Sequence, residues 1–136
     1  MRHLNLFGIF CALGPVGCVI YPAPETNVAP VVLEADVLCT VGEFTEGDVW
    51  EFAALVDDER GPLEVVAVDA WTWDVTTGED LLYFPLFPTN DAFVWASAWI
   101  VEDEPLDCAD PNVAVDLVAW DSWGAWSVLT LTLETL

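Results

Sequence analysis

The chain has no lysine, and its basic side chains are two arginines, Arg2 and Arg60, with a single histidine at His3. Each absence removes a class of chemistry. Without lysine no Schiff base can form. With the one imidazole at position 3, the rest of the chain holds no Ser-His-Asp or Cys-His arrangement, no imidazole base and no histidine-based metal centre. No glycine-rich phosphate loop occurs. No stretch keeps helical periodicity over three turns, and the apolar run from Leu6 to Val16 is too short to span a bilayer. Paired carboxylates are the catalytic option that remains, but with 24 acidic residues any such pair arises by chance. A glycosidase also needs a deep cleft, which a small domain seldom has. The expectation is therefore a protein that is not an enzyme, with no catalytic residue assigned.

The acidic surplus is the other side of this lack. The formal charge is −22, and Arg60 is the one basic side chain beyond the first few residues. Such a surface repels nucleic-acid phosphates and anionic lipid headgroups. It suits cations, calcium, basic proteins or neutral sugars. Solubility, or life in a salty medium, is the simpler account of it.

Hydrophobic residues make up 55% of the chain, enough for a packed core. Their pattern has period two. In Asn112 to Glu134, Val113, Val115, Leu117 and Ala119 alternate with Ala114, Asp116, Val118 and Trp120. After a turn at Asp121-Ser122-Trp123-Gly124, Leu129, Leu131 and Leu133 alternate with Trp126, Val128, Thr130 and Thr132. This predicts a hairpin with Trp120 opposite Trp126, Leu117 opposite Leu129, Val115 opposite Leu131 and Asp116 opposite Thr130. A slip of one residue would put the leucines on the wrong face. The same pattern predicts strands over 30–38, 48–57, 63–75, 81–87 and 92–101, with Trp50 in the core. Asp57-Asp58-Glu59-Arg60-Gly61-Pro62, Thr77-Gly78-Glu79 and Pro88-Thr89-Asn90-Asp91 are the turns between them. Pro85 argues for a sheet edge. Seven short strands predict an all-β, antiparallel sandwich over residues 30–136.

The first residues read differently. A basic start (Arg2, His3) precedes the apolar run, which ends in Gly14-Pro15-Val16-Gly17-Cys18. That ending resembles a bacterial lipobox, where a small residue precedes the cysteine that is lipidated. The resemblance implies a signal peptide over 1–17, lipidation at Cys18 and a proline-containing tether over 18–29. Acyl chains would then anchor the protein in a membrane. Val19, in place of aspartate, favours the outer membrane, so the implied location is the cell envelope. Cleavage by the non-lipoprotein route after Ala23, with Cys18 lost, stays open, as does a buried first strand.

The strand number and spacing, with the Ala119-Trp120-Asp121-Ser122-Trp123-Gly124 ending, resemble the immunoglobulin-like domains of bacterial surface proteins, a broad group that includes PKD-like and cadherin-like modules. The resemblance covers Asn27 to Glu134 and implies a binding, adhesion or structural role. Cys11 falls in the leader and Cys18 is lipidated or removed, which leaves Cys39, expected just after the first strand, and Cys108, in the loop before the hairpin. In the implied topology these lie at one end of the sandwich, where a disulfide fits an oxidising compartment. Two buried free thiols are the alternative.

The same topology gathers the turns bearing Asp57, Asp58, Glu59, Asp91 and Asp121 at the other end. Their carboxylates are candidate ligands for Ca²⁺, although aspartate is also an ordinary turn residue. Trp71, Trp73, Trp120 and Trp126 are candidate ligand-binding residues. They would share the outer face of one sheet, where a strip of indoles can stack on a glycan or seat an envelope protein. The competing reading is that these tryptophans cover one another or fill the core.

Overall fold

A computed structural model describes Gly8–Cys11, Cys18–Tyr21 and residues 27–42, 46–102 and 106–132. The basic start, residues 12–17 of the leader and residues 22–26 of the tether lie outside the described residues. Strands β1 (Gly8–Cys11) and β2 (Cys18–Tyr21) pair antiparallel in a two-stranded sheet of their own.

The domain is all-β, with two antiparallel four-stranded sheets. Its strands are β3 (Val31–Thr40), β4 (Asp48–Asp57), β5 (Val65–Asp74), β6 (Asp80–Pro85), β7 (Phe87–Pro88), β8 (Val94–Val101), β9 (Val113–Asp121) and β10 (Trp126–Thr132). One sheet runs β3-β4-β8-β7 and the other β10-β9-β5-β6. The β9–β10 hairpin has the register expected from its pattern: Trp120 faces Trp126, Leu117 faces Leu129, Val115 faces Leu131 and Asp116 faces Thr130.

Three expectations need correction. The segment 81–87 is two strands in different sheets, which raises the count to eight. β6 is the edge strand of its sheet, and Pro85 is tolerated there because its position opposite Asp69 leaves the missing N–H facing away from β5. Leu86, which is buried, donates its N–H to the Val68 carbonyl at 2.8 Å, and the chain then crosses to pair Phe87 with Ala96. Residues 62–64 are a 3₁₀ turn rather than the start of a strand, because Gly61 takes a positive φ of 110° and Pro62 opens the turn. Cys39 lies inside β3, opposite Trp50, rather than after it.

The core is where the inner faces of the sheets meet. Trp50, Phe52, Ala54 and Val56 alternate inward along β4 and meet Val68 and Ala70 of β5 and Val113, Val115 and Leu117 of β9. Rings bridge the layers, with Phe52 and Phe84 centroids 5.1 Å apart. Burying each large side chain contributes about 1.5–3 kcal/mol. Cys39 and Cys108 form a disulfide with Cα atoms 5.5 Å apart. Asp48 secures the same end by accepting the Cys108 N–H at 3.0 Å and the Gly42 N–H at 3.4 Å.

One polar group is fully buried in the core for a local reason. The pairing of β5 with β6 shifts register between Trp71 and Trp73. Thr72, between them, has no exposure. Its Oγ1 donates to the Leu82 carbonyl and accepts the Leu82 N–H, each at 2.9 Å. The side chain thus replaces the ladder bonds that the irregularity disrupts. It also holds this stretch of β5 against β6, with Trp71 turned to the opposite, outer face.

Candidate functional site

The outer face of the β10-β9-β5-β6 sheet carries an aromatic groove. Register decides which side chains stand there. Trp126 pairs with Trp120 across β10 and β9, and Thr130, Asp116, Trp71 and Tyr83 form one row across all four strands. Between these rows lie Val128, Val118 and Asp69. Trp71, Asp80, Asp116, Val118, Trp120 and Trp126 line an open groove of about 330 Å³. Val118 is its buried floor, while Trp71 is 41% and Trp126 36% exposed.

The rings come in tilted pairs. Trp71 and Tyr83 centroids are 4.7 Å apart with planes at 51°, and Trp120 and Trp126 are 5.7 Å apart at 42°. Such offset, inclined pairs are the favoured arrangement of neighbouring aromatic quadrupoles. The carboxylates beside them are held too. Thr130 Oγ1 donates to Asp116 at 2.7 Å, and the Tyr83 hydroxyl donates to Asp69 at 2.9 Å. The Tyr83 phenol is pushed above its ordinary pKa of 10.0, first by that hydrogen bond, then by burial and by the charge of Asp69. Each cause favours the neutral phenol.

The structure places Trp71, Trp120 and Trp126 around one groove, with Trp120 the more buried ring of its pair with Trp126. It does not add Trp73 to them. Trp73 shares the outer face, opposite Ala114, but it is half-buried and does not line the groove. Tyr83 and Asp80 were not read as site residues. They belong to β6, and alternation along 81–87 carries no sign of which strand it will join. Asp116 was legible only as the partner of Thr130.

The opposite feature lies at the turn end. Asp58 and Asp121 are buried there, with side chains fully shielded from solvent. Asp121 organises the β9–β10 turn: its Oδ1 accepts the N–H of Trp123 at 2.9 Å and of Ala125 at 2.8 Å. Gly124 closes that turn with a φ of 84°, where a side chain would be strained. The Asn27 amide donates to the other oxygen of Asp121. Asp58 organises the β4–β5 turn by accepting the Arg60 N–H at 2.9 Å.

The Arg60 side chain then fills the space between the two turns. Its Nε lies 3.5 Å from Asp58, Nη2 3.6 Å from Asp121 and Nη1 3.0 Å from Glu64. Its Cζ sits 3.5 Å from the centroid of the Trp123 ring. Ser122 Oγ completes the bridge by donating to Glu64 at 2.6 Å.

Of the five candidate calcium ligands, Asp58 and Asp121 thus share a cation that the chain itself supplies. Asp57 accepts the Asp58 N–H at 2.8 Å, Asp91 accepts the Phe93 N–H of its own turn at 3.0 Å, and Glu59 is exposed. Among the described residues, the one group of three such ligand atoms within 4.8 Å is Cys39, Asp48 and Cys108, and its sulfurs are joined as the disulfide. The expected convergence of Asp57, Asp58, Glu59, Asp91 and Asp121 is therefore not seen. Alternation and turn signals could not reveal that Arg60 folds back over its own turn.

Comparison of the chain with protein-family models, with curated proteins and with solved structures finds no match in any of the three.

Proposed function

We propose that this chain is a non-catalytic binding module of the cell envelope, carried on a lipid anchor at Cys18, with the groove lined by Trp71, Trp120 and Trp126 as its contact surface. The observation that carries the reading is the groove itself. Large aromatic side chains stand partly exposed on the outer face of a sheet whose inner face already has a core. Exposed clusters of this kind mark interaction surfaces. The shortage of lysine and histidine supports a binding role over catalysis. The two-sheet order and the position of the disulfide support an immunoglobulin-like domain as the scaffold.

A carbohydrate-binding module is the second reading. It is favoured by the exposure of Trp71 and Trp126, whose ring faces can stack on a sugar. Two measurements test these readings. The mass of the mature N-terminal peptide from envelope fractions tests the anchor: acylated Cys18 supports it, and an unmodified start beyond Cys18 removes it. Tryptophan fluorescence of the whole protein, titrated with envelope extracts and glycans, tests the groove. A saturable change that disappears in Trp71→Ala and Trp126→Ala supports it, whereas a change that survives both substitutions sinks it.

A further inference from the structure

We propose that the groove takes a cationic occupant, an arginine side chain on an exposed segment of a different protein. This rests on the reading that the groove is a binding surface and adds the charge and class of its ligand.

Three observations lead here. The first is charge. Asp80 and Asp116 line the groove, Asp69 stands beside it on the same face, and no basic side chain is among its lining residues. The chain carries a formal charge of −22. An apolar surface edged with one sign of charge focuses its field on the opposite sign. A neutral ligand gains nothing from that field.

The second is ring geometry. The two aromatic pairs are inclined at 42° and 51°, so their rings form corners rather than one flat platform. A corner of ring faces suits a compact cation, which is attracted to the negative face of each ring. The apolar floor at Val118 suits the aliphatic stem that such a side chain brings.

The third is internal precedent. At the turn end the chain already combines these groups. The Arg60 guanidinium lies over the Trp123 ring and between the carboxylates of Asp58 and Asp121. The groove repeats this set of partners, indole faces with carboxylates alongside, without a basic residue of its own. Guanidinium fits better than ammonium, because it stacks on rings and bonds carboxylates in the same plane. The arginine must come from another protein. A second copy has no lysine, its Arg60 is engaged, and its Arg2 lies in the leader that the proposed anchoring at Cys18 removes.

The test uses the full chain and a short glycine–arginine peptide. The control is the same peptide with each arginine replaced by citrulline, which keeps the shape and removes the charge. Binding is followed by tryptophan fluorescence and calorimetry over a range of salt. The arginine peptide should bind at least about tenfold more tightly than the citrulline peptide. Trp71→Ala and Trp126→Ala should each weaken it about fivefold, and Asp116→Asn by a similar factor. The affinity should fall steadily with added salt.

Equal binding of the two peptides would overturn the proposal. So would arginine-peptide binding that is unchanged in the Trp71→Ala/Trp126→Ala double variant, which would indicate diffuse attraction to an acidic surface. Neutral chito-oligosaccharide that binds through the tryptophans, while the arginine peptide does not, refutes the cationic ligand and leaves the groove reading standing. No response from the peptides or the oligosaccharide, with the fold intact by circular dichroism, counts against both.

Discussion

Replacing Arg60 with methionine should strongly destabilise the domain, although the residue is one quarter exposed and sits on a turn. The substitution keeps an unbranched stem and removes the guanidinium. Asp58 and Asp121, both fully shielded, then lose their cation. Stripping one partner from a buried ion pair costs about 3–5 kcal/mol, because the remaining charge is stranded away from water. The full value does not apply. The contacts to Asp58 and Asp121 are long, at 3.5 and 3.6 Å, and Asp121 keeps the N–H donors of Trp123 and Ala125. About half is reasonable, roughly 2 kcal/mol. Loss of the stack on Trp123 adds about 0.5–1 kcal/mol. A total near 3 kcal/mol corresponds to a fall in melting temperature of about 15 °C for a domain of this size.

Thermal unfolding at neutral pH and low salt, followed by circular dichroism, reads this directly. Arg60→Lys keeps the charge but loses the planar stack, and should cost about 1 kcal/mol. Adding Asp58→Asn to Arg60→Met should recover part of the loss, since the stranded charge is then gone. Millimolar Ca²⁺ should stabilise Arg60→Met more than the parent, where the arginine already holds the carboxylates. A melting point for Arg60→Met within about 3 °C of the parent would refute the reasoning and make Arg60 an ordinary surface side chain.

Other outcomes follow from the same structure. Thr72→Val should cost about 2 kcal/mol in denaturant unfolding, because the Leu82 N–H and carbonyl both lose a buried partner, and it should weaken any ligand that contacts Trp71. Reducing the Cys39–Cys108 disulfide, which joins positions separated by 69 residues, should cost about 4 kcal/mol in the chain-entropy model and lower the melting temperature accordingly. Tyr83 should ionise at higher pH in the folded than in the unfolded chain, so its contribution to stability is complete below the unfolded pKa and is lost as pH rises through the folded one. Asp69→Asn should bring that titration back toward the ordinary tyrosine value, read by ultraviolet absorbance.

Legibility depended on how local the controlling physics was. The β9–β10 register was readable because side chains alternate faces with period two, so one alignment alone buries Leu117 and Leu129 together. The placement of Trp71 and Trp120 on adjacent strands of one sheet came instead from the topology that the resemblance to immunoglobulin-like domains implies, since alternation does not say which strands are neighbours. The split of 81–87 was not readable. Pro85 announced an edge, but which sheet receives β6 depends on the fit of Phe84 against Phe52 and Trp99 in the assembled core. Tyr83 and Asp80 entered the groove with that choice. Trp73 left the lining although its parity matched that of Trp71, because alternation sets the face a side chain takes and neighbouring strands set how far it is covered.

By itself, the sequence determined the all-β class, the strand pairing of the last hairpin, the core position of Trp50 and the scarcity of positive charge. All of these follow from residue type and from spacing along the chain. Only the tertiary structure decided that Asp58 and Asp121 share Arg60, and that three of the four candidate tryptophans meet beside Asp80 and Asp116. Both depend on which distant segments are brought within a few ångströms of each other, and packing of the two sheets settles that rather than any local pattern.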